Sequence, residues 1–378
     1  EKKVPGTVSW ATPSARQSDH RTLLDLLYEA PVGEDADLST RLYRVEQNNR
    51  YQDPDSFPAP TDASHYTTAD VVEMLGHARL PSQHILTYGA EFRSQKLKSN
   101  QVGRRSRGVG AAYVQDQWAL GALQAIPGVR VDFVEGFYGE VSPKLGVVYQ
   151  ASDGLTLRGN VGRSFRTPTL NDLYWPTDAF ATGNPGLQSE HALMADVGAA
   201  WQATPSLEVE ATAFTHRVTN LIAWQPDVIE AGKWSPTNVG KARISGVEAG
   251  ASWRASGRLS LKANVTYQDA RDRGGAVGTH GKRLLMKPEV LANAGATYRA
   301  GALSAGLDLR YTGRRPADAA NNGFVNAALV TDLRLEAPVG RTATAALLVS
   351  NLFDERYEMQ PGYPLPGRAI TLRLSEKW

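Results

Sequence analysis

The sequence predicts an all-β chain folded as an antiparallel transmembrane β-barrel, and three observations carry that prediction. Apolar and polar residues alternate along segments of roughly ten residues or more, and the links between those segments alternate between short and long. Nowhere does a run of about 18 apolar residues occur, the least that would signal a membrane-spanning helix. In lipid only helices and closed sheets satisfy every backbone N–H and C=O, so a membrane chain without such a helix must be a closed sheet.

The alternation is clearest in the C-terminal half. Leu259, Leu261, Ala263, Val265 and Tyr267 share one face, and Ser260, Lys262, Asn264, Thr266 and Gln268 the other. Leu303, Ala305, Leu307, Leu309 and Tyr311 oppose Ala302, Ser304, Gly306, Asp308 and Arg310. Leu155, Leu157, Val161 and Phe165 oppose Thr156, Arg158, Asn160, Ser164 and Arg166, with Arg163 an exception on the apolar face. Ile370, Leu372 and Leu374 oppose Thr371, Arg373 and Ser375. A soluble sandwich would turn the apolar face toward a core, whereas a membrane barrel turns it to lipid and the polar face to the lumen. Segment length, small outward residues and aromatics near segment ends (Tyr149, Phe165, Trp201, Trp253, Tyr267, Tyr298, Tyr311) favour the barrel.

Short links carry turn residues: Pro31-Val32-Gly33, Pro81-Ser82, Ser152-Asp153-Gly154, Thr204-Pro205, Ala255-Ser256-Gly257, Ala300-Gly301 and Pro338-Val339-Gly340. Between them fall longer polar links at about 52–65, 99–107, 167–188, 219–239, 272–285, 314–324 and 353–366; only the link near Glu135–Glu140 is short where a long one is due. Tight periplasmic turns and long extracellular loops produce this pattern. The count comes to about 17 strands, an odd number where bacterial single-chain barrels are even. A first strand around Thr22–Tyr28 and a last one around Ala369–Leu374 would then run parallel, so further strands are expected between these edges.

Composition narrows the function. The 378 residues carry 41 Lys+Arg against 39 Asp+Glu, a balance without the basic excess expected of a nucleic-acid partner. Zero cysteines exclude disulfides and thiolate metal sites. The start, Glu1-Lys2-Lys3-Val4-Pro5-Gly6, lacks the apolar stretch of a signal peptide, which an exported chain would have to carry upstream.

Three stretches then resemble the TonB-dependent outer-membrane receptor family. Gly240-Lys241-Ala242-Arg243-Ile244-Ser245-Gly246-Val247-Glu248 resembles its G-x-A-x-x-x-G-V-E strand. Ser164-Phe165-Arg166-Thr167-Pro168-Thr169-Leu170-Asn171-Asp172-Leu173-Tyr174, then Gly183-Asn184-Pro185-Gly186-Leu187 and Glu190, is similar to its R-x-P…L…G-N-P-x-L-x-x-E segment. Asn351-Leu352-Phe353-Asp354 with Tyr357, and a last strand ending in Trp378, looks like its C-terminus. The style is nearest to receptors for vitamin B12 and siderophores. The resemblance implies a 22-stranded barrel with a plugged lumen, of which residues 1–378 would supply about strands six to 22. The plug, the energy-coupling box and the first five strands would be absent from this chain, present elsewhere on another chain or lost. A TonB-type energiser would act only through that plug, and the location would be the bacterial outer membrane, with lipid and lipopolysaccharide as surroundings.

Candidate residues follow. Arg166, Glu190 and Glu248 are expected on the lumenal, plug-facing side, Arg166 and Glu190 either gripping plug or ligand or forming a fixed ion-pair network. Tyr174, Trp175 and Phe180 in one long link, Trp224 and Trp234 in the next and Tyr363 in the last could cap a flat, partly apolar ligand, or could anchor the loops. Gly240 and Gly246 are expected to serve close packing or a bend. Asp53, Asp55 and Asp62 have carboxylates suited to Ca2+ but read as an ordinary Asp-Pro-Asp turn. Arg104, Arg105 and Arg107 read as a solvated basic loop within reach of lipopolysaccharide. His77 and His84 have no zinc spacing, and no G-x-S-x-G nucleophile elbow occurs. No catalytic residue, metal or cofactor is expected. The functions in play are an uptake receptor for a cobalamin, siderophore or similar metal chelate, a plugless passive channel, and a structural envelope barrel.

Overall fold

Period-two patterning puts a side chain on alternate faces of an extended backbone, and the computed structural model turns nearly every such segment into a strand. It describes all residues except 1, 5, 8–9, 58, 178–180, 227–232, 239, 275–277 and 377–378. Among the described residues there are seventeen strands of eight residues or more, the number expected. They are β1 (Arg16–Pro31), β2 (Ala36–Asp53), β3 (Thr61–Leu80), β4 (His84–Ser99), β5 (Gly103–Leu120), β6 (Leu123–Val134), β7 (Glu140–Ser152), β8 (Leu155–Arg166) and β9 (Glu190–Thr204). Then follow β10 (Leu207–Thr219), β11 (Lys241–Arg254), β12 (Leu259–Asp272), β13 (Val290–Ala300), β14 (Leu303–Thr312), β15 (Ala328–Val339), β16 (Ala343–Ser350) and β17 (Ala369–Glu376). One short helix, α1 (Leu170–Tyr174), lies between β8 and β9.

The chain divides into two compact units, residues 1–149, 160–195 and 217–242 in the first, and 150–159, 196–216 and 243–378 in the second. In the first, β1 to β7 form an antiparallel meander. Its register builds a lateral row, Leu26–Leu42–Val72–Phe92–Gly110–Phe133, each residue directly opposite the next. The apolar side chains of that row are exposed, Leu26 at 63% and Phe92 at 58%, the reverse of a soluble sheet. Toward the long-link ends the same face turns polar, in the rows Thr22–Glu46–Thr68–Lys96–Ser106 and His20–Asn48–Tyr66–Lys98–Arg104.

In the second unit β12 to β17 form a second antiparallel meander. Leu261–Ala296–Leu307–Leu333 run across its apolar face. Lys262–Gly295–Asp308–Asp332, one residue along, run across its polar face. The alternation read from sequence is therefore the alternation of the sheet.

Two links differ from expectation. The stretch 99–107, read as a long loop, is a three-residue turn at 100–102, because β4 and β5 stay paired to Ser99 and Gly103. The basic run Arg104, Arg105 and Arg107 thus lies on a strand, where three cations in four residues masked the alternation. The link 52–65 likewise shrinks to 54–60 as β2 and β3 pair up to Asp53 and Thr61. There Asp53 Oδ1 accepts the Asp55 backbone N–H at 3.0 Å and Asp62 pairs with Arg50, so these carboxylates serve the turn and the ladder. The other long links are real, and three contain short hairpins: Ile222–Pro226 with Trp234–Asn238, Arg315–Pro316 with Phe324–Val325, and Glu358–Gln360 with Tyr363–Pro364.

Gly240 and Gly246 act as backbone devices. Gly240 has φ of 100°, open only to glycine without strain. A Cβ on Gly246 would meet Phe214 Cζ at 2.7 Å and the Tyr267 carbonyl oxygen more closely still.

Candidate functional site

The described apolar core of the first unit lies among its long links, where Leu173, Leu187 and Ile222 are buried together against Phe137 and Tyr174. The organising segment is 167–189. Thr169 caps α1: its Oγ1 accepts the Asp172 N–H at 3.1 Å, and Asp172 Oδ2 accepts the Thr169 N–H at 2.9 Å. This reciprocal capping box is what a T-x-x-D sequence favours at a helix start. Gly183-Asn184-Pro185 then folds back onto the helix. The Gly183 N–H donates to the Trp175 carbonyl at 3.0 Å and the Asn184 N–H to that of Asp172 at 2.8 Å. A Cβ on Gly183 would sit 2.5 Å from the Trp175 nitrogen, so the approach requires glycine.

Charge holds this fold in place. Arg166 Nε and Nη2 donate to Glu190 Oε2 and Oε1 at 2.8 and 2.7 Å, a bidentate pair. Glu190 is buried, and its Oε1 also accepts the Ile222 N–H at 2.6 Å. The buried Asp172 accepts the Trp224 indole N–H on Oδ1 at 3.0 Å, and its Oδ2 lies 3.9 Å from Arg166. The pair with Glu190 raises the pKa of Arg166 and burial works against it, so the cation is permanent. Arg107, buried, donates to the Pro168 carbonyl at 2.9 Å and lies over the Phe137 ring at 5.5 Å. Burial lowers its pKa, opposed by Tyr174 and Glu135. Arg163, the exception on the apolar face, lies 3.7 Å from Glu140, which also contacts His191 Nε2 at 2.9 Å.

The aromatic candidates separate. Trp175 and Trp224 meet edge to face, centroids 6.1 Å apart, and Tyr174 stacks under the Arg105 guanidinium at 4.5 Å. All three rings thus pack against other side chains of the first unit. Trp234 is half exposed at 50% on the hairpin strand opposite Pro226. In the second unit Tyr363 is 42% exposed. Glu248, also in that unit, is exposed and forms no ion pair among the described residues. Phe180 and the terminal Trp378 lie outside the described residues. Sequence reasoning missed Asp172 as a hub, although the T-x-x-D pattern marks it, and missed Phe137 and Glu140, which carry no local signal. Asp172 accepts from the Thr169 N–H and hydroxyl and from the Trp224 indole, and Glu190 from Arg166 and the Ile222 N–H, so both carboxylates are committed to holding the loops together. No group of three or more His, Asp or Glu able to hold a metal occurs among the described residues.

A sheet of long antiparallel strands, apolar and exposed on one face, polar on the other, with structured loops at one end, defines an outer-membrane β-barrel. The chain belongs to the TonB dependent receptor-like β-barrel family, whose model matches residues 3–352. It is 25% identical over 317 residues to the vitamin B12 transporter BtuB of Photobacterium profundum, covering 83% of this chain and 49% of that one. It is 26% identical over 321 residues to the iron-regulated outer membrane virulence protein of Vibrio cholerae serotype O1, covering 77% and 49%. The chain spans about half the length of these curated relatives. The crystal structure of the unliganded ferric citrate transporter FecA superposes with a TM-score of 0.82 at 17% identity, over 97% of this chain and 62% of that one. The fold is an antiparallel transmembrane β-barrel and the location the bacterial outer membrane.

Proposed function

We propose that this chain is the barrel of a TonB-dependent uptake receptor for a cobalamin, siderophore or similar metal chelate, with the long links outside the cell. The observation that carries this reading is the loop platform of the first unit. An ion-paired, capped and glycine-folded loop keeps a defined shape, and beside it stands the half-exposed Trp234, an apolar surface for a flat ligand. Relatives named for vitamin B12 transport and iron regulation support the ligand class. Tyr363 on the last link is a further exposed aromatic of this kind. A plug segment would fill the lumen against Arg166, Glu190 and Glu248, and a TonB-type energiser would act through that plug.

The test is uptake by cells with and without the gene, using labelled cobalamin and iron-labelled chelates. Loss of energy-dependent uptake of one ligand, restored by the wild-type gene, is expected. Unchanged uptake of every ligand in the class, with altered passive permeability to unrelated solutes, would overturn the reading in favour of a passive channel.

A further inference from the structure

The outward, apolar face of the first unit ends in cations that have no partner among the described residues. On β4, Lys96 and Lys98 share the face of the exposed Phe92, and across the pair they lie directly opposite Ser106 and Arg104 of β5. All four are exposed or half-exposed. Two arginines of this face are neutralised by acids, Arg44 at 2.7 Å from Glu46 and 3.4 Å from Asp70 and Arg50 at 2.6 Å from Asp62, and Arg16 donates to the Pro13 and Ala15 carbonyls. The nearby acids are thus engaged, Glu46 also by the Tyr66 hydroxyl. Lys96, Lys98 and Arg104 form no ion pair among the described residues. Like charges directly opposite each other, as Lys98 and Arg104 are, destabilise a sheet unless an anion sits between them.

Height along the barrel decides which anion. Lys96 stands four residues above Phe92, about 13 Å along the strand and on the order of 9 Å along the membrane normal at a tilt near 45°. The apolar band of an outer-membrane barrel is about 25 Å tall. Counted from His84 at the turn, Lys96 is about 28 Å up, at the level of the lipid headgroups. We propose that Lys96, Lys98 and Arg104, with the Ser106 hydroxyl, form a docking site on the barrel wall for a phosphorylated lipid headgroup of the outer leaflet. The acyl chains of that lipid lie against Phe92, Val72 and Val114 below. The site uses the outer-membrane location alone and is independent of any transported ligand.

The protein as the cell produces it is placed in lipid nanodiscs and titrated with phosphorylated lipid A and with its dephosphorylated counterpart. The phosphorylated form is expected to bind at least about tenfold more tightly, more weakly as salt rises. A variant carrying Lys96→Gln, Lys98→Gln and Arg104→Gln should lose that preference, while Arg50→Gln with Asp62→Asn, which removes a paired cation, keeps it. Should the triple variant fail to fold, the preference and salt dependence of the wild type and of Lys98→Gln alone carry the test. Equal binding of the two lipids by the wild type, an unchanged preference in the folded triple variant or in Lys98→Gln, or full displacement by millimolar inorganic phosphate would overturn the proposal.

Discussion

Arg166 and Glu190 join the last residue of β8 to the first of β9, through two hydrogen bonds of 2.8 and 2.7 Å that close the neck of the loop 167–189. The loop is held as a side chain–clamped ring whose shape does not depend on strand pairing alone. Arg166→Ala would leave the Glu190 carboxylate buried with only the Ile222 N–H. Because Arg166 is itself half exposed, the cost is about 1–3 kcal/mol, below that of a fully buried pair. The loss is local: proteolysis within 167–189 should accelerate while the barrel's heat resistance stays near that of the wild type. Equal protease resistance would show that the clamp is dispensable.

Glycine at 246 is required by packing and glycine at 250 is not. Gly246→Ala places a methyl group against the Tyr267 carbonyl and the Phe214 ring, whereas at Gly250 the nearest atom is the end of the flexible Glu210 side chain, 3.1 Å away. Gly246→Ala should cost about 1–3 kcal/mol and Gly250→Ala less than about 1 kcal/mol, as overpacking against backbone relaxes poorly. Refolding yield and heat-dependent gel mobility of the two variants measure the difference. Indistinguishable variants would contradict the close approach.

His65 lies on β3 in the polar stretch above the apolar band, and burial lowers its pKa from the usual 6.5. The folded form therefore holds fewer protons at this site than the unfolded chain. The stability it contributes is intact above pH 6.5 and declines as pH falls below that value. His65→Gln should flatten the acid limb of the stability profile below pH 6.5, where burial holds the folded-state pKa down, and leave the profile above it unchanged. An unaltered acid limb would remove His65 from the account.

The long links are extracellular in the proposed orientation. An epitope inserted at Asn321-Asn322 should be reached by antibody on intact cells, and one within Ala255-Ser256-Gly257 should be reached only after permeabilisation. The opposite pattern would invert the topology.

Strand faces were legible in sequence because one-sided burial in lipid writes a period of two into every crossing segment; Leu307 and Asp308 already show it. Loop conformation was legible only where a local device encodes it, as in the Thr169–Asp172 box and the Gly183-Asn184-Pro185 fold. Contacts such as Trp224 to Asp172, 52 residues apart, depend on which links meet in space, and no local pattern records that. The β4–β5 turn was hidden for a related reason. Lys98 and Arg104 continue the outward face of the strands, but near the turn polar residues occupy both faces, so the segment reads as loop.

The two faces of β14 put the central claim to the most direct test. Leu307→Arg should cost on the order of 2–4 kcal/mol near the bilayer midplane, and Asp308→Arg far less. Because the chain contains no cysteine, Leu307→Cys and Asp308→Cys each supply a single unambiguous probe. In reconstituted bilayers the thiol at 307 should react with a lipid-soluble maleimide and resist a charged, water-soluble one, and the thiol at 308 should show the reverse. Equal labelling of both positions by the water-soluble reagent would mean that the apolar face does not meet lipid, and the barrel assignment would fall.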